Sequence, residues 1–373
     1  MGGNQGDTAT KLEVPGVLSA GDLAATAGTI LDAQEGTGAI PWFEGGDADP
    51  WDHVECAMAL SAAGEWAAAE RAYAWLTAIQ REDGSWPMRI RAACPRGTAI
   101  DPAADTNQCA YVAVGVWHHI HVTGDTDFAW RMWPVVRGAV DFVLTLQQPS
   151  GEVAWARDAT GRAAPGALLA GCSSIHQSLR CAVALARHLG CPSPQWESAA
   201  RTLAQALAQQ PDGFEDRQRY SMDWYYPVLG GAVRGAAGAR LVEQRWEEFV
   251  LPGLGVRCVS DRPWVTGAET CELALTLDAL GEPERAATLV ADMQHLRHED
   301  GSYWTGYVFE DGVRWPVERS TWTGASVILA ADALAQATSG ACLFRSVPRW
   351  DAKDVADSDS ASADAVADAL DHS

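Results

Sequence analysis

No run of about eighteen apolar residues occurs anywhere in the 373-residue chain, so no transmembrane helix is expected. The first residues, MGGNQGDTATKLEVPG, lack a basic region followed by an apolar stretch. That excludes a secretory signal there, and the chain reads as cytoplasmic. Clusters of Lys and Arg are also missing, and the formal net charge is -22. Neutralising phosphates needs such clusters, so nucleic acid is excluded as a partner, and an anionic membrane surface with it. Among nine cysteines (56, 94, 109, 172, 181, 191, 258, 271 and 342) there is no C-x-x-C pair, which argues against a zinc ribbon. Their odd number and alanine-rich surroundings read as buried reduced thiols. No metal and no cofactor is called for. A neutral small molecule or oligosaccharide remains as substrate, and composition is silent on oligomeric state.

What the chain does contain is a repeat. The stretches 80-QREDGSW-86, 148-QPSGEVAW-155 and 294-QHLRHEDGSYW-304 share one pattern, with 210-QPDGF-214 a weaker relative. Each follows an amphipathic segment ending in Gln, turns on Gly and then presents an aromatic. Gly supplies a left-handed cap after a helix, and Asp before it favours the turn. Recurrence at this spacing signals a repeat architecture.

Between the repeats, two kinds of helical segment alternate. One kind is amphipathic and charged, at about 19–34, 66–80, 127–147, 194–209, 240–250 and 282–297. The other is nearly uncharged, at about 52–63, 106–121, 174–189, 225–237, 267–280 and 321–337. A helix apolar on every side is one buried on every side. Strict alternation of six exposed and six buried helices predicts an all-α (α/α)6 toroid, with short strands possible in its long loops. The expected organisation is a flexible 1–15, a single toroid over 16–345 and an acidic disordered tail over 346–373.

Links from buried to exposed helices are short, whereas the return links are long and rich in aromatic and acidic residues. In a toroid all the long links emerge on one face, which becomes the functional mouth. The starts of the six buried helices supply Asp49, Trp51, Asp52, His53 and Glu55; Asp105 and Asn107; His176; Asp223, Trp224, Tyr225 and Tyr226; Arg262, Trp264, Glu269 and Glu272; and Arg319 and Trp322. Some of these are expected to be helix caps, Asp105 among them. Glu269 and Glu272 sit in the first turns of an apolar helix, where a buried carboxylate needs a partner or a raised pKa.

The segment 105-DTNQCAYVAVGVWHHIHVTGDTDFAWRMWPVVRGAVDFVL-144 resembles the second hairpin of the six-hairpin, glucoamylase-like glycosidases. The Q-x-x-D-G-S-W turn is instead similar to terpene cyclases and protein prenyltransferase β subunits. The glycosidase resemblance implies general acid/base hydrolysis by two carboxylates from different helix mouths, usually with inversion. Asp52 beside Trp51 is the expected acid and Asp223 or Glu269 the base, with Asp49 and Glu55 as further candidates. Trp51, His53, Asp105, Asn107, His176, Trp224, Tyr225, Arg262, Trp264, Arg319 and Trp322 are expected to bind substrate. Two alternatives stand beside this reading: an isoprenoid enzyme, and a non-catalytic glycan-binding toroid. The cyclase signature D-x-D-D is approached only by Asp47-Ala-Asp49-Pro50, where Pro50 replaces the last Asp.

Overall fold

The computed structural model describes residues 11–93, 97–209 and 213–346. Cys94, the first residues of the 210–214 turn, most of the N-terminal segment and the acidic tail from 347 lie outside the described residues. The helices are α1 (Ala20–Ala33), α2 (Pro50–Ala62), α3 (Trp66–Ile79), α4 (Thr106–Ala110), α5 (Val112–Thr123), α6 (Thr126–Leu144) and α7 (Leu169–His188). They continue as α8 (Pro194–Gln209), α9 (Ser221–Leu229), α10 (Gly235–Gln244), α11 (Trp246–Phe249), α12 (Gly267–Ala279), α13 (Pro283–Asp292) and α14 (Thr321–Ala335). No helix among the described residues is long and apolar enough to cross a membrane.

Six of these helices close a cycle. α2 packs on α5, α5 on α7, α7 on α9, α9 on α12, α12 on α14, and α14 returns to α2. Each is flanked by a helix that belongs to no part of the cycle: α3 on α2, α6 on α5, α8 on α7, α10 on α9, α13 on α12 and α1 on α14. Burial follows this division, because a cycle helix meets neighbours on both sides and behind. Every residue of α2 except Asp52 is buried, as is every residue of α12 except Ala279. Flanking α8 buries only Trp196, Ala199, Ala200, Leu203 and Ala206, one stripe at helical spacing.

Boundaries depart from the sequence reading at several places. α9 ends at Leu229, before Gly230-Gly231, whereas apolar content alone carried that helix on to 237. A Gly pair costs backbone entropy in a helix, and Gly231 takes a left-handed φ of 78°. α7 also begins earlier than expected, at Leu169 rather than 174.

Short strands form in the long links. They are β1 (Asp47–Ala48), β2 (Arg89–Arg91), β3 (Thr98–Asp101), β4 (Ala104–Asp105), β5 (Ala156–Arg157), β6 (Val250–Leu251), β7 (Gly255–Arg257), β8 (Trp264–Thr266), β9 (Gly306–Val308) and β10 (Val313–Arg314). They pair as small sheets in the orders β1-β2-β3, β4-β5 and β10-β9-β8-β7-β6, antiparallel throughout. These sheets stiffen the loops that lead into α2, α4, α7, α12 and α14.

The repeated turn has a physical explanation. Gly84, Gly151 and Gly301 have φ of 87°, 114° and 93°. A Cβ on any of them would collide with backbone of another flanking helix, at Gly138, Thr202 and Ala25 respectively. At the first two of these turns the preceding Gln does the stitching, whereas Gln294 Nε2 turns back to Val290 O of α13. Gln80 Nε2 donates to Gly84 O and to Val135 O of α6, both at 2.9 Å. Gln147 Nε2 donates likewise to Gly151 O and Ala199 O of α8. Gln34 repeats the arrangement unannounced, donating to Gly38 O and to Ala68 O of α3. The Q-x-x-D-G-S-W likeness thus reflects how successive flanking helices are tied together rather than any chemistry.

Candidate active site

The acidic link before α2 resolves into anchors and one free group. Asp47 pairs with Arg89 and Arg91 at 2.6 Å each, holding the link to β2. Asp49 is the N-cap of α2, with Pro50 in the first turn. Its Oδ1 accepts the N–H groups of Trp51 (2.7 Å) and Asp52 (3.0 Å), and its Oδ2 accepts Trp42 Nε1–H at 2.5 Å. Both oxygens of Asp49 are therefore occupied. No hydrogen bond to the Asp52 carboxyl is present among the described residues, and Asp52 is the one residue of α2 that is not fully buried.

One turn deeper on the same face stands Glu55. Its Oε1 accepts the Tyr111 hydroxyl at 2.6 Å, and its Oε2 accepts Trp322 Nε1–H at 3.1 Å and Ser326 Oγ–H at 3.4 Å. α12 carries a matching pair. Glu272 accepts the hydroxyls of Tyr225 (2.5 Å) and Tyr226 (2.7 Å). Glu269, one turn nearer the mouth and buried, has the thiol of Cys258 as its side-chain partner among the described residues.

Asp52 and Glu272 feel the charge of the carboxyls around them. Burial pushes Asp52 well above the ordinary Asp range, and repulsion from Asp49, Glu55, Glu272 and Glu269 pushes it further. Burial raises Glu55 to about 6 against the pull of its three donors. Glu272 is held well above the Glu range by burial and by Glu55, despite its two tyrosines. A carboxyl held above its ordinary range beside others that repel its charge is the arrangement general acid catalysis requires.

Aromatic rings wall this cluster. Trp51 stacks on Tyr111 with centroids 3.5 Å apart and planes at 22°, and the tilted ring of Tyr226 lies 6.3 Å from that of Trp51. Trp322 joins through Glu55. Tyr225 belongs to the same group through Glu272. Trp264 lies further out, donating Nε1–H to Trp315 O and meeting the half-exposed Trp315 ring edge-on at 4.8 Å.

Asp105 and Asp223 lie elsewhere on the same face. Asp105 is the N-cap of α4, accepting Gln108 N–H at 3.0 Å, and burial raises it to about 6. Asp223 accepts Ala170 N–H at the start of α7, and burial raises it, too, to about 6. Together with Asn107 they line a cavity between α4, α7 and α9.

Four residues expected to bind substrate are committed to the fold, and a fifth, Arg262, stands outside the site. The buried His53 accepts Ile40 N–H at Nδ1 and donates Nε2–H to Ala72 O, and burial lowers it to about 4. His176 is buried, bonded at Nδ1 to Gly230 O, and lowered by burial to about 3. Trp224 turns away from the cycle interior to stack on Phe249 and to donate to Leu241 O. Arg319 grips Asp300, Ser302 and His298 in the 298–302 turn. Arg262 is exposed on the β7–β8 link. Sequence spacing placed these residues at helix starts but could not tell which side of the helix each would face. It also passed over Tyr111, whose only signal was a tyrosine interrupting the apolar run 110–117.

Comparison with known proteins agrees with this geometry. A glycosidase solved in complex with glucose superposes on 86% of the chain and 100% of its own length, with a TM-score of 0.67 at 17% identity. A D-mannose isomerase superposes on 83% of the chain and 96% of its own length, with a TM-score of 0.64 at 10% identity. At these identities the likeness is one of fold. No family model matches the chain. The chain is a glycosidase-like, helix-rich protein. It is 57% identical over 334 residues to the MMP endo-(1,4)-3-O-methyl-alpha-D-mannosidase of Mycolicibacterium hassiacum, covering 90% of this chain and 92% of that one, and it belongs to that protein's family.

Proposed function

We propose that the chain is an (α/α)6 toroid that hydrolyses 1,4 links within chains of 3-O-methyl-α-D-mannose, with Asp52 as general acid and Glu269 as general base. The substrate class is taken from the relative's name, supported by the extent of the identity. The residue assignment is carried by one observation. Of the five carboxyls at the mouths of α2 and α12, Asp52 and Glu269 alone keep their oxygens clear of backbone, tyrosine and tryptophan donors.

In this reading the Asp52 proton passes to the glycosidic oxygen as the C1–O bond breaks. Glu269 takes a proton from a water whose oxygen attacks C1 from the opposite face. Trp51 and Trp322 offer ring faces to the sugar. An isoprenoid cyclase would instead require an apolar cavity with one acid, whereas these helices gather five carboxyls.

Incubation with 4-linked 3-O-methyl-α-mannose oligosaccharides, followed by mass spectrometry, is expected to show internal cuts. Proton NMR of the first product is expected to show the β-anomer. A chain that binds these oligosaccharides without cutting them would instead be a glycan-binding protein. Turnover of a prenyl diphosphate, with no glycoside cleaved, would overturn the proposal.

A further inference from the structure

The cavity between α4, α7 and α9 has a volume of about 190 Å³, several times the space of one water at roughly 30 Å³. The reaction just described makes no use of it. Its lining is of two kinds: Leu168, Ile175 and Met222 are among the apolar residues, and Asp105, Asn107, Arg217 and Asp223 among the polar ones.

Its position ties it to the carboxylate cluster. Asn107 precedes Tyr111 by four residues, and Asp223 precedes Tyr226 by three. Each therefore shares a helical face with an aromatic that meets Trp51, one turn nearer the mouth. The cavity thus adjoins the aromatic wall of the carboxylate cluster, on the side where a chain bound at Asp52 would place a neighbouring unit.

The polar side has acceptors to spare. Asn107 Oδ1 is buried with no hydrogen-bond partner. Asp223 receives one backbone N–H, from Ala170, and Asp105 receives that of Gln108. Buried acceptors left open call for donors, which sugar hydroxyls supply. The apolar side calls for the opposite, and an unmodified pyranose edge would leave hydroxyls against Leu168 and Met222. A pyranose with one hydroxyl methylated answers both sides at once.

We infer that this cavity is a subsite for an O-methylated pyranose, its methyl against Leu168, Ile175 and Met222 and its free hydroxyls on Asn107 and Asp223. The inference deepens the hydrolase reading and rests on it for the identity of the polymer. Leu168 and Met222 would then be specificity-determining residues.

The test compares a 4-linked α-mannotetraose with its 3-O-methylated counterpart. Binding is measured by calorimetry on Asp52→Asn protein, and hydrolysis on protein with Asp52 intact. The substitutions are Leu168→Asn and Met222→Gln. Leu168 is the N-cap of α7 and makes no side-chain cap, so Asn suits the position and the helix is retained. One methylene in an apolar pocket discriminates by about 10- to 200-fold. The parent protein is therefore expected to prefer the methylated tetraose by at least about tenfold, and each substitution to bring the ratio within roughly threefold. A parent without preference, or a preference that neither substitution reduces, overturns the subsite. Because binding is read without turnover, the two failures separate. Loss of hydrolysis with the preference intact would sink the catalytic assignment alone, and hydrolysis with an insensitive ratio would sink the subsite alone.

Discussion

α2 and α12 each carry two carboxyls one turn apart, about 4.5 Å along the axis, and the two layers so formed differ in one respect. In the outer layer, Asp52 and Glu269 have no hydroxyl, indole or backbone donor bound to them among the described residues. In the deeper layer, Glu55 and Glu272 are fully furnished, by Tyr111, Trp322 and Ser326 in one case and by Tyr225 and Tyr226 in the other. The same chemical group at the same helical spacing is a reagent candidate in one layer and a fixture in the other. A satisfied buried carboxyl holds its neighbours in place, whereas an unsatisfied one is costly to the fold and is retained for what it does.

The largest effect expected from breaking this contrast is on rate. Asp52→Asn and Glu269→Gln should each lower kcat/KM by on the order of 10³-fold or more, because each removes a proton-transfer group worth about 10²–10⁴. Neither should lower stability by much, because the one side-chain donor on either carboxyl is the weak Cys258 thiol at Glu269. Rate assays paired with urea unfolding decide the matter. Loss of stability in step with loss of rate would show that the outer layer is structural as well.

Glu272→Leu should do the reverse. It strands two buried tyrosine hydroxyls, each costing about 1–3 kcal/mol, partly offset by relief of the buried acid. A net loss of about 2 kcal/mol in urea unfolding is expected. Glu272→Gln keeps an acceptor and should cost about 1 kcal/mol. If both substitutions leave stability untouched, the tyrosine bonds do not hold the deeper layer.

The amino-acid sequence shows why only part of this contrast was legible. Alternation of charged and uncharged helices exposes the cycle, because burial on all sides leaves a compositional mark over every turn of α2, α12 and α14. The Gln and Gly of the repeated turn are equally visible, because both respond to local backbone demands. Which carboxyl is satisfied is not local. Glu55 finds Tyr111 56 residues away and Ser326 271 residues away, and no window of sequence joins them. The same limit explains His53 and Trp224. Both stand at helix starts among mouth residues, yet each projects into the packing behind.

Asp49 tests the contrast within a single loop. It neighbours Asp52 in sequence, and burial raises its pKa as well, yet its oxygens are spent on the α2 cap and on Trp42. Asp49→Asn keeps the capping oxygen but turns an amide N–H₂ toward the Trp42 N–H. The expected cost is about 1 kcal/mol in unfolding, with kcat/KM changed far less than by Asp52→Asn. A loss of rate as large as that of Asp52→Asn would mean that the reagent is Asp49 and the assignment is one residue-pair out of place.

The smallest effect concerns how the deeper layer acts on the outer one. A general acid works protonated, so kcat/KM should fall as pH rises through the Asp52 pKa, which burial first and then neighbouring carboxyls hold high. Glu55 is one of those neighbours, and burial places its own pKa at about 6. Below that pH Glu55 is neutral and exerts no repulsion; above it, its charge makes Asp52 harder to ionise. Glu55→Gln removes this charge at every pH. Its alkaline limb should therefore lie at lower pH than that of the parent, with the two profiles coinciding below about pH 6 and separating above it. Coincident limbs across the whole range would show that Asp52 does not feel the deeper layer, or that it is not the group whose ionisation the limb reports.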